Sequence, residues 1–276
     1  MAREMATRLV HSDLGITHFR AVYQKHVFPP HSHDDYLIGM TTAGAEHFEQ
    51  EGARHVSLPG MLRTINVDAV HSGGCAKGQP WGYEALFVSA PLMHEVAERK
   101  GHGDTLPQLL GPAVDDPRLR DAAAELFALL RTSDDSLLRS SALAGFLQLV
   151  WQRLGAGSAE RAVPVESAPI RRARDYLAEN ACEKILLSEL AAVAGISRFH
   201  LLRQFKEQRG MTPWQYQMQE RMRRARHLLA RGVPLSIVAA DCGFSDQSHF
   251  THRFRQRTGM TPASYAASMV TRIAVT

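Results

Sequence analysis

Between Thr17 and Ser89 the apolar residues come in short alternating runs, at 17–25, 36–42, 45–50, 61–66 and 82–89. Turn-forming residues part them: Pro29-Pro30, Gly44, Gly52, Pro59-Gly60 and Gly73-Gly74. Period-two runs punctuated in this way predict strands of an all-β sandwich or barrel. Beyond Pro91 the period changes. Residues 117–131 and 134–154 place apolar side chains three and four apart, as in Leu143, Leu147, Val150 and Leu154, the mark of amphipathic helices. Gly155-Ala156-Gly157-Ser158 and the stretch from Val163 to Pro169 interrupt any period, and the rest of the chain reads helical. The pattern predicts a two-domain protein: a strand domain at 1–90, a helical segment at 91–154, a linker at 155–169 and an all-α domain at 170–276.

The all-α part contains a self-match. Leu187-Ser188-Glu189-Leu190-Ala191 through Ala194-Gly195-Ile196-Ser197 recurs 48 residues on as Leu235-Ser236-Ile237-Val238-Ala239 through Cys242-Gly243-Phe244-Ser245. One residue is then gained. At an offset of 49, His200, Leu201, Phe205, Gly210-Met211-Thr212-Pro213 and Tyr216 match His249, Phe250, Phe254, Gly259-Met260-Thr261-Pro262 and Tyr265. Each copy reads as a helix-turn-helix, over 188–209 and 236–258. Ser188 and Ser236 are expected to cap the first helix of each pair, and Ser197 and Ser245 the second. Gly195 and Gly243 fall just past a helix end, where a left-handed residue is cheapest as glycine.

The second helix of such a pair enters the DNA major groove. At about 100° per residue, Leu201 and Phe205 define the buried face of the first copy, leaving Phe199, His200 and Arg203 outward. Phe250 and Phe254 do the same in the second copy, leaving Ser248, His249 and His252 outward, Thr251 at the flank and Gln247 at the amino-terminal end. These eight are the candidate base-reading residues: Arg203 suits guanine O6/N7, and Phe199 a thymine methyl. Lys206, Arg209, Arg253, Arg255 and Arg257 are the candidate phosphate contacts. Between the copies, Pro213 to Ala230 reads as a helix about 27 Å long, suited to holding two motifs about 34 Å apart, one turn of DNA. Its Arg221-Met222-Arg223-Arg224-Ala225-Arg226 string adds charge near the duplex or forms a solvated face.

Charge supports this division. Residues 1–165 carry 15 basic and 19 acidic side chains, whereas 166–276 carry 17 and 9, so the basic excess lies wholly in the helical domain. Such asymmetry favours a polyanion partner for that domain alone. Cys75, Cys182 and Cys242 are scattered and form no CxxC pair, which fits a reduced, cytoplasmic setting. No run of residues is long and apolar enough to span a membrane, and neither a catalytic triad order, a phosphate loop nor a paired-carboxylate motif is present, so no catalytic residue is assigned.

Residues 170–276 resemble the AraC/XylS family of bacterial transcription regulators. The resemblance rests on Arg221-Met222, Ala225, Leu228-Leu229, Ile237, Ala239, Gly243 through Phe250, Phe254 and Gly259-Met260-Thr261-Pro262. It implies a seven-helix DNA-binding domain with both recognition helices on one face of a promoter. Leu202 is apolar where the family often has a polar base-reading residue.

Residues 1–90 resemble the cupin-like effector domain that precedes this module in many such regulators, on Pro30-His31-Ser32-His33-Asp34-Asp35-Tyr36, Gly44, Pro59-Gly60 and Asn66 through His71. The resemblance implies an effector-responsive activator whose pocket lies in the barrel, with His31, His33, Tyr36, His71, Trp81 and Tyr83 as candidate effector-binding residues. His31, His33 and His71 read first as hydrogen-bonding groups for an organic effector, with structural histidines and a metal site as the alternatives. Metal-binding cupins follow this H-x-H with a glutamate, and here Asp34 and Asp35 follow instead.

The expected partners are double-stranded promoter DNA, a small-molecule effector, a second copy docked through the apolar stripe of 91–154, and RNA polymerase, with no cofactor. That stripe reads alternatively as a cover for the barrel. The competing expectation is a metal-dependent cupin oxygenase with a DNA-binding tail.

Overall fold

The structure, a computed structural model, describes residues 5–76, 79–98, 106–156 and 166–270. The chain divides into two compact units, one built from the residues up to Val27 and from Ser32 to Arg161, the other from Ala162 to Val270 together with Phe28–His31. Most of the linker expected at 155–169 lies outside the described residues.

Up to residue 156 the elements are β1 (Met5–His11), β2 (Ile16–Tyr23), β3 (Val27–His31), β4 (Tyr36–Gly44), β5 (Glu46–Gln50), β6 (Ala53–Ser57), β7 (Leu62–Ile65), β8 (His71–Cys75), β9 (Trp81–Val88), α1 (Ala90–Glu98), β10 (Ala113–Val114), α2 (Pro117–Thr132) and α3 (Ser136–Leu154). The strands form two separate hydrogen-bonded sheets, ordered β1-β2-β9-β4-β7-β10 and β3-β8-β5-β6. This is a cupin-like layout, realised among the described residues as two sheets and not as one closed cylinder.

Strand alternation gives the six-stranded sheet two unlike faces. On one, Ile16, Tyr36, Ile38, Leu62, Leu86 and Val88 pack with Leu126, Phe127, Leu143, Leu147, Val150 and Leu154 of α2 and α3 in one apolar core. Burial of each such side chain contributes about 1.5–3 kcal/mol. The α3 stripe expected to dock a second copy is therefore consumed in covering the sheet. Leu137 and Leu138, before that stripe, are the exposed leucines of α3. Asp116 and Asp135 cap α2 and α3, accepting from Leu119 N at 3.3 Å and Leu138 N at 3.0 Å. Glu84 points into the same layer, accepting from His18 Nε2 at 2.8 Å and pairing with Arg131.

The other face holds Leu37, Ile65 and Ala85 with Tyr83 and Phe87 against them. Arg63 of β7 lies over the Phe48 ring of β5, 4.0 Å from its centroid, so this face looks toward the four-stranded sheet.

From residue 166 onward the regular elements of the described residues are all helices: α4 (Ala168–Glu179), α5 (Leu187–Ala194), α6 (Arg198–Arg209), α7 (Pro213–Ala230), α8 (Leu235–Asp241), α9 (Gln247–Thr258) and α10 (Pro262–Val270). The repeat is physical as well as textual. Leu190, Ala191, Ala194, Leu201 and Phe205 are buried in the first copy, and Val238, Ala239, Cys242, Phe250 and Phe254 in the second. Thr212 opens α7 as a capping box, its Oγ1 accepting from Gln215 N at 3.3 Å and Gln215 Oε1 accepting from Thr212 N at 2.8 Å. Among the described residues no helix is long and apolar enough to cross a membrane.

Candidate functional sites

The two helix-turn-helix turns are built alike. Gly195 and Gly243 sit at φ 73° and 72°. Ile196 N donates to Ala191 O at 3.2 Å, and Phe244 N donates to Ala239 O at 3.0 Å, closing equivalent turns. Each turn is also clasped by an arginine on carbonyl oxygens. Arg172 of α4 donates to Ala194 O at 2.6 Å, and Arg221 of α7 donates to Gly243 O at 2.5 Å and Ala181 O at 2.7 Å. Arg221 is thus a brace joining the second turn to the loop after α4, and not a charge offered outward.

The capping differs from expectation. Leu186 and Pro234 precede α5 and α8 without a side-chain cap, which leaves Ser188 and Ser236 inside the first turns. Ser197 does cap α6, accepting from His200 N at 3.3 Å. In the second copy Asp246 takes that place, accepting from His249 N at 2.7 Å, while Ser245 Oγ donates to its other oxygen at 2.9 Å. These bonds hold the Asp246 carboxyl below the ordinary aspartate pKa.

On α6 the outward residues are openly displayed. Phe199 is 83% exposed, Arg203 and Lys206 are exposed, and His200 is half-buried. Leu202, apolar and 37% exposed, shares this surface. Arg203 makes a loose ion pair at 3.8 Å with Glu207, one turn on. Arg209 is drawn away, lying over the Tyr216 ring with Glu166 3.8 Å off.

On α9 Gln247, Ser248, His252 and Arg255 are exposed and Thr251 is half-buried. His249 is engaged on both ring nitrogens: Arg253 Nε donates to Nε2 at 3.4 Å, so Nδ1 carries the hydrogen and faces Ser245 Oγ at 3.2 Å. Arg253 also lies 5.5 Å from the centroid of the Trp214 ring. Arg257 corrects the sequence expectation outright. It is buried, donates to Gln215 O at 3.4 Å, and burial pulls its pKa down to about 10. A side chain so placed braces α9 against α7 and does not reach a phosphate.

Between the sheets of the strand unit the side chains are aromatic and polar. Trp81 and Tyr83 stack with centroids 4.5 Å apart, and Tyr23 lies 6.0 Å from Trp81. Arg63 pairs with the buried Glu46, whose carboxyl is pushed above its ordinary pKa by burial against the opposing pull of Arg63. Gln50 is buried on the same side of β5. Arg63, Glu46, Phe48 and Gln50 were missed by sequence reasoning. Tyr36, expected beside the pocket, belongs instead to the apolar core on the opposite face, where its hydroxyl donates to Pro107 O at 2.6 Å.

Of the three candidate histidines, His33 and His71 come together, their ring centroids 4.8 Å apart. His31 Nδ1 lies 2.8 Å from Pro29 O and His71 Nδ1 2.9 Å from Ala69 O, while His33 packs edge-on against Phe87.

Comparison with known proteins agrees with both units. Residues 13–147 match the model of the AraC-like ligand binding domain, and residues 190–268 match that of a helix-turn-helix domain. The chain is 28% identical over 231 residues to YbfI, an uncharacterized HTH-type transcriptional regulator of Bacillus subtilis, spanning 84% of this chain and 83% of that protein. It is 30% identical over 146 residues to the HTH-type transcriptional activator RhaS of Klebsiella pneumoniae, 52% of each chain. Among solved structures, apo ToxT from Vibrio cholerae shares the fold over 92% of this chain and 98% of that one, with a TM-score of 0.54 at 12% identity. With a ligand-binding domain followed by paired helix-turn-helix motifs, the chain belongs to the AraC family of transcriptional regulators.

Proposed function

We propose that this regulator is an effector-responsive activator that reads two successive major grooves, α6 supplying most of the base discrimination and α9 mainly orientation and phosphate contact. The observation that carries this reading is the contrast in free side chains. Phe199 and Leu202 stand open on α6 and Arg203 is held only by a loose 3.8 Å pair with Glu207, whereas His249 and Arg253 on α9 are hydrogen-bonded to each other. A side chain already committed within its own helix must break that bond to meet a base. Helix α7 has 18 residues, about 27 Å at ~1.5 Å each, which suits half-sites one turn of DNA apart. Gln247, Ser248 and His252 supply the remaining polar contacts of α9, and Lys206 and Arg255 the phosphate contacts.

The effector is a small polar molecule, met between the sheets by Arg63 and Glu46 with Trp81 and Tyr83 as its apolar wall. Buried donors and acceptors on an otherwise aromatic face fix orientation, as ligand pockets do. DNA selection with the purified full chain, with and without a metabolite extract, tests both parts. The expected result is a bipartite motif with half-sites about 10 base pairs apart and altered occupancy with the extract. A folded protein that enriches no sequence overturns the DNA reading, and unchanged occupancy overturns the effector reading.

A further inference from the structure

Between the sheets of the strand unit lies a buried cation with one edge uncommitted. Arg63 is 8% exposed; its guanidinium lies over the Phe48 ring, and its Nη1 donates to Glu46. Among the described residues Nε and Nη2, which share the other edge of the guanidinium, meet no hydrogen-bond partner. Gln50, 4% exposed, is similarly half-used: Nε2 donates to Thr64 O at 3.2 Å, and Oε1 meets no partner among the described residues. Buried donors and acceptors are costly to leave unmade, so these three atoms call for a polar molecule between the sheets.

We propose that the effector is a small monocarboxylate with a flat apolar body, its carboxylate held side-on by Arg63 Nε and Nη2 and a hydroxyl or N–H of the same molecule donating to Gln50 Oε1. The proposal rests on the reading of the space between the sheets as the effector site, and gives that effector a chemical class.

Two parallel N–H donors in one plane match the two oxygens of a carboxylate, a geometry that arginine offers and lysine does not. Phe48 holds the guanidinium by its face and Glu46 by its Nη1 end, so the free edge is presented before a ligand arrives. Strand β5 sets Glu46, Phe48 and Gln50 two apart and therefore on one face, which brings Gln50 Oε1 to the same side as Arg63. Beside Arg63 the six-stranded sheet carries no bulk. Its register line runs through Gly39 of β4 to Ala85 of β9, and a Cβ on Gly39 would lie 2.7 Å from that of Ala85. A flat ring fits over this floor, toward the Trp81–Tyr83 stack.

Charge limits the ligand to one carboxylate. Arg63 is paired with Glu46, while Tyr83 of β9 and Cys75, the register partner of Glu46 in β8, add no positive charge. A dianion such as a phosphate monoester would set two negative charges beside Glu46. A monocarboxylate sets one, and burial has already pushed the Glu46 carboxyl toward its neutral form.

The test titrates the full chain by calorimetry with mandelate, phenyllactate and indole-3-acetate, each beside its primary amide. At least one acid is expected to bind, at least ~10-fold more tightly than its amide. Arg63→Lys, which keeps the charge and loses the fork, should weaken that acid at least ~10-fold, while Arg54→Ala, at an exposed position on β6, leaves it unchanged. An acid that folded Arg63→Lys binds as well as wild type overturns the site. Amides that bind as tightly as the acids overturn the class, and so does a wild-type chain that binds none of the acids; DNA occupancy that still responds to a metabolite extract would then leave the effector reading itself intact. Should Arg63→Lys fail to fold, the comparison of acid with amide on the wild-type chain decides.

Discussion

Helices α6 and α9 occupy equivalent places in two copies of one motif, each 12 residues long, each entered past a left-handed glycine and each ended by another, Gly210 and Gly259. What differs is how their outer residues are employed. The first copy spends few bonds on itself: a serine cap, an exposed Phe199 and an Arg203 in a loose pair with Glu207. The second is knit together, from Arg253 to His249 to Ser245 to Asp246, with Arg257 buried behind it. Duplication preserved the buried face because packing demands it, and left the outward face free to divide recognition from positioning.

The largest expected effects fall on the turns. At Gly195 an added Cβ meets only the flexible Arg172 guanidinium at 3.3 Å, so Gly195→Ala costs about 1–2 kcal/mol for its left-handed backbone. At Gly243 the Cβ would lie 2.0 Å from Cys182 O, a backbone atom, so Gly243→Ala costs about 3 kcal/mol or more. Scanning calorimetry of the two variants in the full chain should show the second melting lower. Equal losses would mean that the turns are equivalent after all.

Smaller effects concern DNA. Arg203→Ala should weaken binding by about 1–3 kcal/mol and relax preference at one base position, as read by competition binding. Arg255→Ala should weaken all sequences alike and lower the salt slope by about 1, as read by titration at several salt concentrations. If Arg255→Ala changes base preference instead, α9 reads bases directly.

The smallest effect separates the caps. The folded Asp246 carboxyl titrates below its unfolded value, so its contribution is fully present above about pH 4 and is lost as pH falls through the folded pKa. Asp246→Ser should remove that acid-dependent part, monitored by thermal melts between neutral and acid pH, while Ser197→Ala leaves the pH dependence unchanged.

Legibility in the sequence followed the same physics. The repeat disclosed both helix pairs because apolar positions and turn glycines recur in order. The strands at 36–42 and 82–89 were legible from alternation, whereas β3 and β8 were hidden in turn signals. Pro29-Pro30 lies in β3, an edge strand, where missing amide donors are tolerated. Gly73-Gly74 lies in β8 because neighbouring chain crowds it: a Cβ on Gly74 would meet His26 O at 2.3 Å. In the Glu46–Gln50 segment Phe48 is the one apolar side chain, too slight a signal to say that Glu46 and Gln50 share its inward face. Arg257 and Arg221 misled for a related reason, since composition records a charge and not the carbonyl oxygens it meets.

The division of labour between the two helices is tested most directly by measuring base preference at every position of the selected site, for wild type and Arg203→Ala side by side. The account predicts one sharply defined half-site and one degenerate half-site, with Arg203→Ala blurring only the sharp one. Two equally sharp half-sites, or a preference that Arg203→Ala leaves intact, would contradict it.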